Sequence, residues 1–154
     1  MGNIKRSECH FDLADQVIEA RIVIGVTGHR VLNNQLDLSD AIQSTINRIK
    51  QMIPPLRNTP LILHVLSPLA EGADRLVAKE VLKIPGGVLD VILPLEKDDY
   101  LKDFSTTKSR EEFAELLIQA SSTKRFTFNP SRVEAYEQTG RYIVDQCDVL
   151  IAIL

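Results

Sequence analysis

Four times along this chain a short apolar run gives way to a polar turn and then to a helical repeat, and a fifth run follows. Arg21–Val26 (RIVIGV), Leu61–Leu66 (LILHVL), Val88–Leu95 (VLDVILPL), Arg125–Phe128 (RFTF) and Asp148–Leu154 (DVLIAIL) read as strands. Between the first two, Leu38, Ala41, Ile42, Thr45, Ile46, Ile49 and Ile53 keep one helical face apolar, with Asp37 or Ser39 as cap and Pro54-Pro55 as stop. Ala73, Leu76, Val77, Val81 and Leu82 mark the next helix, between Gly72 and the turn Pro85-Gly86-Gly87. Ser109–Glu112 (SREE) is a capping-box signature ahead of Phe113, Leu116, Leu117 and Ala120. Ser131 with Glu134 opens a last helix through Val133, Tyr136, Ile143 and Val144. Gly140 inside that helix costs about 1 kcal/mol against alanine, which predicts a close packing contact or a bound ligand there. This alternation predicts an α/β fold: a three-layer αβα arrangement around a mostly parallel, five-stranded Rossmann-like sheet with right-handed crossovers. Strands that are apolar throughout, rather than at alternate positions, expect burial on both faces.

The 154 residues suit one domain, placed at 21–154 and preceded by an extension, 1–20, with a short amphipathic helix over about Phe11–Ala20. The sequence stops on an apolar strand with no helix after it, so the domain is expected to continue past Leu154. Eighteen basic residues against 21 acidic ones leave a net charge of −3, which disfavours nucleic acid as a partner. No apolar run is long enough to span a membrane, and no signal-peptide pattern opens the chain, so a cytoplasmic location is expected. Cys9 and Cys147 are far apart and read as reduced, incidental thiols. No three residues have metal-ligand spacing, so no metal is expected. The composition is compatible with a monomer or a homodimer, and fusion to other domains is a further expectation for a domain that continues past Leu154.

Open parallel sheets bind ligands beyond the carboxyl ends of their strands. The residues there are Thr27, Gly28, His29 and Arg30 after the first strand, the stretch Ser67–Arg75 after the second, and Ser131 after the fourth. Thr27 brings a hydroxyl, Gly28 lets backbone amides approach an anion, and Arg30 can take a phosphate bidentately. His29 is either a fourth member of that cradle or an ordinary turn residue. Helix starts near Gly72 and Ser131 offer free amides to a phosphate, with Ser67 and Arg75 as further candidates. Glu71 and Asp74 are the carboxylates able to act as acid or base, although each reads equally well as a first-turn acid. The polar stretch Glu96–Ser109 reads as the longest loop, of a length suited to a lid carrying Tyr100 or Phe104 against a base. His64, inside an apolar strand, reads as a satisfied core or edge histidine. GVTG is not a dinucleotide fingerprint, and no G-K-[ST] or G-x-S-x-G occurs, so classical dehydrogenase, P-loop and α/β-hydrolase chemistries are excluded.

GVTGHR after the first strand, LSPLAEGADRLVA after the second, VILPL in the third and YIVDQCDVLIAIL at the end resemble the SLOG superfamily. That group joins DNA-processing Rossmann domains, LOG phosphoribohydrolases and nucleotide-sensing domains. Ser67, Leu69, Ala70, Gly72 and Asp74 match the SGLARGID stretch of the DNA-processing members, whereas Pro68 and Glu71 replace its first glycine and its arginine. The resemblance implies a pocket for a small-molecule nucleotide or an ADP-ribose-like ligand, held as a sensor or accessory domain. It also implies two alternatives: hydrolysis of an N-glycosidic bond of a nucleotide, or a non-catalytic scaffold. The P-G-G-x-G-T-x-x-E element of the hydrolases does not occur in this sequence.

Overall fold

The computed structural model describes residues 19–54, 59–125 and 131–154. Its elements run β1 (Ala20–Gly28), α1 (Gln35–Met52), β2 (Leu61–Ser67), α2 (Ala73–Leu82), β3 (Val88–Leu93), α3 (Lys97–Tyr100), a 3₁₀ turn (Leu101–Asp103), α4 (Thr107–Ile118), β4 (Ser122–Arg125), α5 (Arg132–Gln146) and β5 (Val149–Ile153). The five strands form one fully parallel sheet in the order β4-β3-β2-β1-β5. The chain therefore walks outward from β1 to β4, then returns to place β5 on the other side of β1.

That return divides the helices between two faces. Ile24, Val26, Leu63, Val65, Leu89 and Val91 point to one side, where Ile42 and Ile46 of α1, Val77 and Val81 of α2, and Phe113 and Leu116 of α4 cover them. The alternate residues Val23, Leu66 and Ile92 point to the other side and meet Ile143 of α5. The larger core is thus on the α1–α2–α4 face. The six strand residues named on it are buried to within a few per cent of complete, as strands covered on that side require.

Several boundaries differ from the sequence reading, each for a local reason. β1 runs on to Gly28 because Thr27 and Gly28 pair with Ala152 and Ile153 of β5. α1 begins at Gln35 behind Asn34, a left-handed residue at φ 54°, and not at an Asp37 or Ser39 cap. Asp37 lies in the first turn, where a carboxylate suits the helix dipole. β3 ends at Leu93, just before Pro94. β4 occupies Ser122–Arg125, ahead of the predicted Arg125–Phe128, of which Phe126–Phe128 lie outside the described residues. It is a polar edge strand, so apolar patterning does not register it. The helix expected at Phe11–Ala20 also falls, up to residue 18, outside the described residues.

The predicted Glu96–Ser109 loop is largely helical. Thr106, not Ser109, caps α4, its Oγ1 accepting the Ser109 N–H at 3.1 Å. Tyr100 and Phe104 are fully buried, with ring centroids 5.0 Å apart and both packed on Phe113. They belong to the core, so neither stacks on a base. Ser131 caps α5 as expected, its Oγ accepting the Glu134 N–H at 3.2 Å and donating to the Glu134 carboxylate at 2.8 Å. Gly140 has open space around it, with nothing within 4 Å of where a Cβ would stand, so the close packing contact predicted for it does not occur among the described residues.

Candidate functional site

The loop after β1 and the start of α2 are locked together. Ala73 N–H donates to the His29 carbonyl at 3.1 Å, and His29 N–H donates to the Ile153 carbonyl at 3.0 Å. Gly72 adopts φ +82°, and any Cβ on it would collide with the His29 and Arg30 carbonyls. At Gly28 a Cβ would stand 2.7 Å from that of Ala73, besides striking the Ile153 carbonyl. These two glycines are therefore required by packing between β1, β5 and α2. The first amide of α2 is consumed by the protein itself, which narrows the anion site expected near Gly72.

The loop between β2 and α2 is held just as tightly. Ser67, fully buried, accepts the Leu69 N–H on its hydroxyl at 3.0 Å. Leu69 is fully buried at φ 57°, a left-handed conformation costing roughly 1–2 kcal/mol for a residue with a Cβ. Arg75 holds it there: its Nε donates to the Leu69 carbonyl at 3.0 Å. The same guanidinium spends Nη1 on the Ser109 carbonyl at 2.9 Å, the Ser109 hydroxyl at 2.8 Å and Glu112 at 2.9 Å. It also lies 4.4 Å over the Phe104 ring. Arg75 is only 2% exposed, so it serves as an internal brace between α2 and α4 and does not face solvent.

Beyond these braces lies a crevice of about 420 Å³ at the carboxyl end of the sheet. Its walls are Arg30, Val31 and Leu32 after β1, Gln35 at the start of α1, Glu71 and Gly72 before α2, and Thr106, Lys108, Ser109 and Glu112 at the start of α4. Among the described residues, neither Arg30 nor Lys108 has a hydrogen-bond or ion-pair partner. Glu71 accepts a short hydrogen bond from the Ser109 hydroxyl. Val31 is 82% exposed and, with Leu32, gives the crevice an apolar wall. A smaller groove of about 140 Å³ lies on the α5 face, lined by Arg21, Asp90, Ser122, Lys124 and others. There Asp90 is already engaged by His64 Nδ1 at 2.7 Å and by the Ser122 hydroxyl at 2.5 Å, so His64 is the satisfied histidine that its setting predicted.

Of the residues named from sequence, Arg30, Glu71 and Gly72 line this crevice. Thr27 alternates onto the α5 face with Val23 and Gly25, so its hydroxyl points away from it. Gly28, His29, Ser67 and Arg75 shape or brace it from behind. Ser131 follows β4, three strands or about 14 Å from β1, and its hydroxyl is spent on Glu134. Sequence reading missed Val31, Leu32, Gln35, Thr106, Lys108 and Ser109. The small hydroxyl cluster Thr106-Thr107-Lys108-Ser109 is a helix-start signal that could have drawn attention to three of them.

The two candidate carboxylates have separate fates. Asp74 is 8% exposed and does not line the crevice. Burial pushes its carboxyl up from 3.8 to about 7, against the partial relief of the Ala70 N–H, Arg30 and Arg75. Glu71 faces the crevice but is committed to Ser109. Asp74, the carboxyl that burial raises, therefore has no clear line to the crevice that a general acid there would need. Near Asp74, burial and the carboxylate also push the Tyr100 phenol upward. Two buried atoms, Tyr100 Oη and Arg75 Nη2, lack partners among the described residues. No group of three or more His, Cys, Asp or Glu able to hold a metal occurs among the described residues. No described helix is long and apolar enough to cross a membrane.

Fold and crevice together define a class: a parallel, Rossmann-like α/β domain with a ligand-sized polar crevice at the carboxyl end of its sheet. Comparison with known proteins goes no further, because no protein-family model matches the chain and no curated protein matches it with significance.

Proposed function

We propose that this domain binds a nucleotide or nucleotide derivative in the crevice between the ends of β1 and β2 and the start of α4, as a sensor or accessory module. The observation that carries this reading is the pair of cations, Arg30 and Lys108, neither with a hydrogen-bond or ion-pair partner among the described residues, on a crevice of about 420 Å³ that also has an apolar wall. Phosphate oxygens suit the two cations and the amino end of α4, and the face of a base suits Val31 and Leu32. The SLOG resemblance supports the same reading, and of the residues that match its motif Gly72 lines the crevice while Ser67, Leu69, Ala70 and Asp74 lie behind it. A cytoplasmic setting, where nucleotides are plentiful, fits it. The second reading, N-glycosidic hydrolysis, draws support from Asp74, whose carboxyl is raised to about 7, but that group lies behind the crevice and not on it.

A thermal-shift screen against AMP, ADP, ATP, ADP-ribose, cyclic ADP-ribose, NAD and cyclic dinucleotides tests the proposal. A ligand at one hundred times its Kd adds about 2.7 kcal/mol of apparent stability. The expected outcome is stabilisation of the wild type by at least one ligand, lost in Arg30→Ala and reduced in Lys108→Ala. Chromatography of the same mixtures should recover the ligand intact. Release of free base would move the assignment to the hydrolase, and no shift with any ligand would refute nucleotide binding.

A further inference from the structure

Resting on the nucleotide reading, we infer that the crevice selects ribonucleotides by their vicinal diol, with Glu71 as the group that reads it and Ser109 as a positioning residue. The argument starts from the direction of a hydrogen-bond chain. Arg75 Nη1 donates to the Ser109 hydroxyl at 2.8 Å. A guanidinium can only donate, so the hydroxyl oxygen must accept there. Its single proton is then free to be given away, and it goes to Glu71 Oε1. Glu71 is thereby fixed as an acceptor at the end of a chain rooted in a buried cation.

The same arginine fixes the other end of the carboxylate's support. Through Nε it holds the Leu69 carbonyl, two residues before Glu71, while Ser109 lies 34 residues further along the chain from Arg75 itself. One buried side chain thus sets both the loop that carries Glu71 and the hydroxyl that orients it. An exposed first-turn acid serving only the helix dipole needs no such support. Among the described residues, Oε2 of Glu71 has no partner, although Arg30 and Lys108 share its crevice. What remains is an oriented acceptor, and it calls for a donor on the ligand.

Phosphates have no donor to offer and repel a carboxylate. In a nucleotide the donors are the ribose 2′- and 3′-hydroxyls and the amino groups of the base. A carboxylate with free lone pairs accepts two neighbouring hydroxyls at once. With phosphate on Arg30 and Lys108 and the base against Val31 and Leu32, the sugar between them is the part left for Glu71.

The test is calorimetric titration of AMP, ADP and ATP, each against its 2′-deoxy counterpart, on wild type, Glu71→Gln and Ser109→Ala. Hydrogen bonds to a charged acceptor correspond to roughly 10- to 100-fold in affinity, so the wild type should prefer the ribose forms by about that factor. Glu71→Gln should bring the ratio close to one, and Ser109→Ala should lower it, weakening the ribose forms more than the deoxy forms. A merely structural serine would weaken both forms alike. Equal binding of ribose and deoxyribose forms by the wild type overturns this inference and leaves the nucleotide reading intact. An undiminished preference in Glu71→Gln, or equal weakening of both sugars in either variant, overturns it too. Failure of all six compounds to bind the wild type overturns this inference, while the nucleotide reading falls only if every ligand of the wider screen fails as well.

Discussion

Replacing Asp74 by asparagine should make the protein more stable, and increasingly so as the pH rises. The folded protein holds this carboxyl at about 7 against an ordinary 3.8, because burial penalises its charge more than the Ala70 N–H, Arg30 and Arg75 relieve it. In the unfolded chain it ionises at its ordinary value. A group whose pKa is raised by folding contributes stability that is fully present below about pH 4 and is lost by about pH 7. Each unit of difference corresponds to about 1.4 kcal/mol, so the whole loss is on the order of 4 kcal/mol. About 2–3 kcal/mol of it falls between pH 5 and pH 8. Asparagine keeps an oxygen for the Ala70 N–H and never ionises. Urea unfolding of wild type and variant in matched buffers measures this directly. The stability of Asp74→Asn relative to wild type should rise by about 2–3 kcal/mol from pH 5 to pH 8. Carboxylates such as Asp90 and Glu112, held below their usual range, titrate in both proteins and cancel from the comparison. A difference that stays constant across that range, or narrows, would refute the account of Asp74 as a charge buried without full compensation.

Three further substitutions test the fold. Gly140→Ala should stabilise by about 0.5–1 kcal/mol, because the site is helical and open, and a loss of stability on denaturant unfolding would reveal a contact there. Arg75→Met removes the brace from the Leu69 and Ser109 carbonyls and from Glu112, which should cost about 3–5 kcal/mol. Breaking the exposed Arg141–Glu137 pair with Arg141→Ala should cost under about 1 kcal/mol. Comparable melting temperatures for these two variants would deny Arg75 its role.

Most of the sheet was legible in the sequence because its inner strands are apolar on both faces, a pattern that survives reading one residue at a time. β4 was not, since Ser122–Arg125 is a polar edge whose pairing with Asp90–Leu93 depends on a neighbour 32 residues away. The site divides in the same manner. Arg30, Glu71 and Gly72 were found because they directly follow strands, which is where parallel sheets place ligands. Thr27 was misplaced because strand alternation, continuing two residues further than expected, turns it to the opposite face. Arg75 looked available to a phosphate because nothing in its local sequence announces the buried partners on α4. Tyr100 and Phe104 looked available because aromatic residues in a polar stretch give no sign of one another across a 3₁₀ turn.

The strand order has a consequence for how the chain reaches its native state. β1 lies between β2 and β5, and the partner on its second edge comes from far along the chain. Asp148 clasps Val23 there from both sides: its Oδ2 accepts the Val23 N–H at 2.8 Å, and its own N–H donates to the Val23 carbonyl at 2.8 Å, across 125 residues. On a ribosome, β1–β4 can assemble with their helices long before that clasp exists. During that interval β1 presents an unsatisfied edge of strand, the kind of surface that recruits other chains. Closing a loop of this length makes the β1–β5 pairing a slow step of folding. The nascent protein therefore carries a window of vulnerability that the finished one does not, and its duration is set by translation as much as by the stability of the fold.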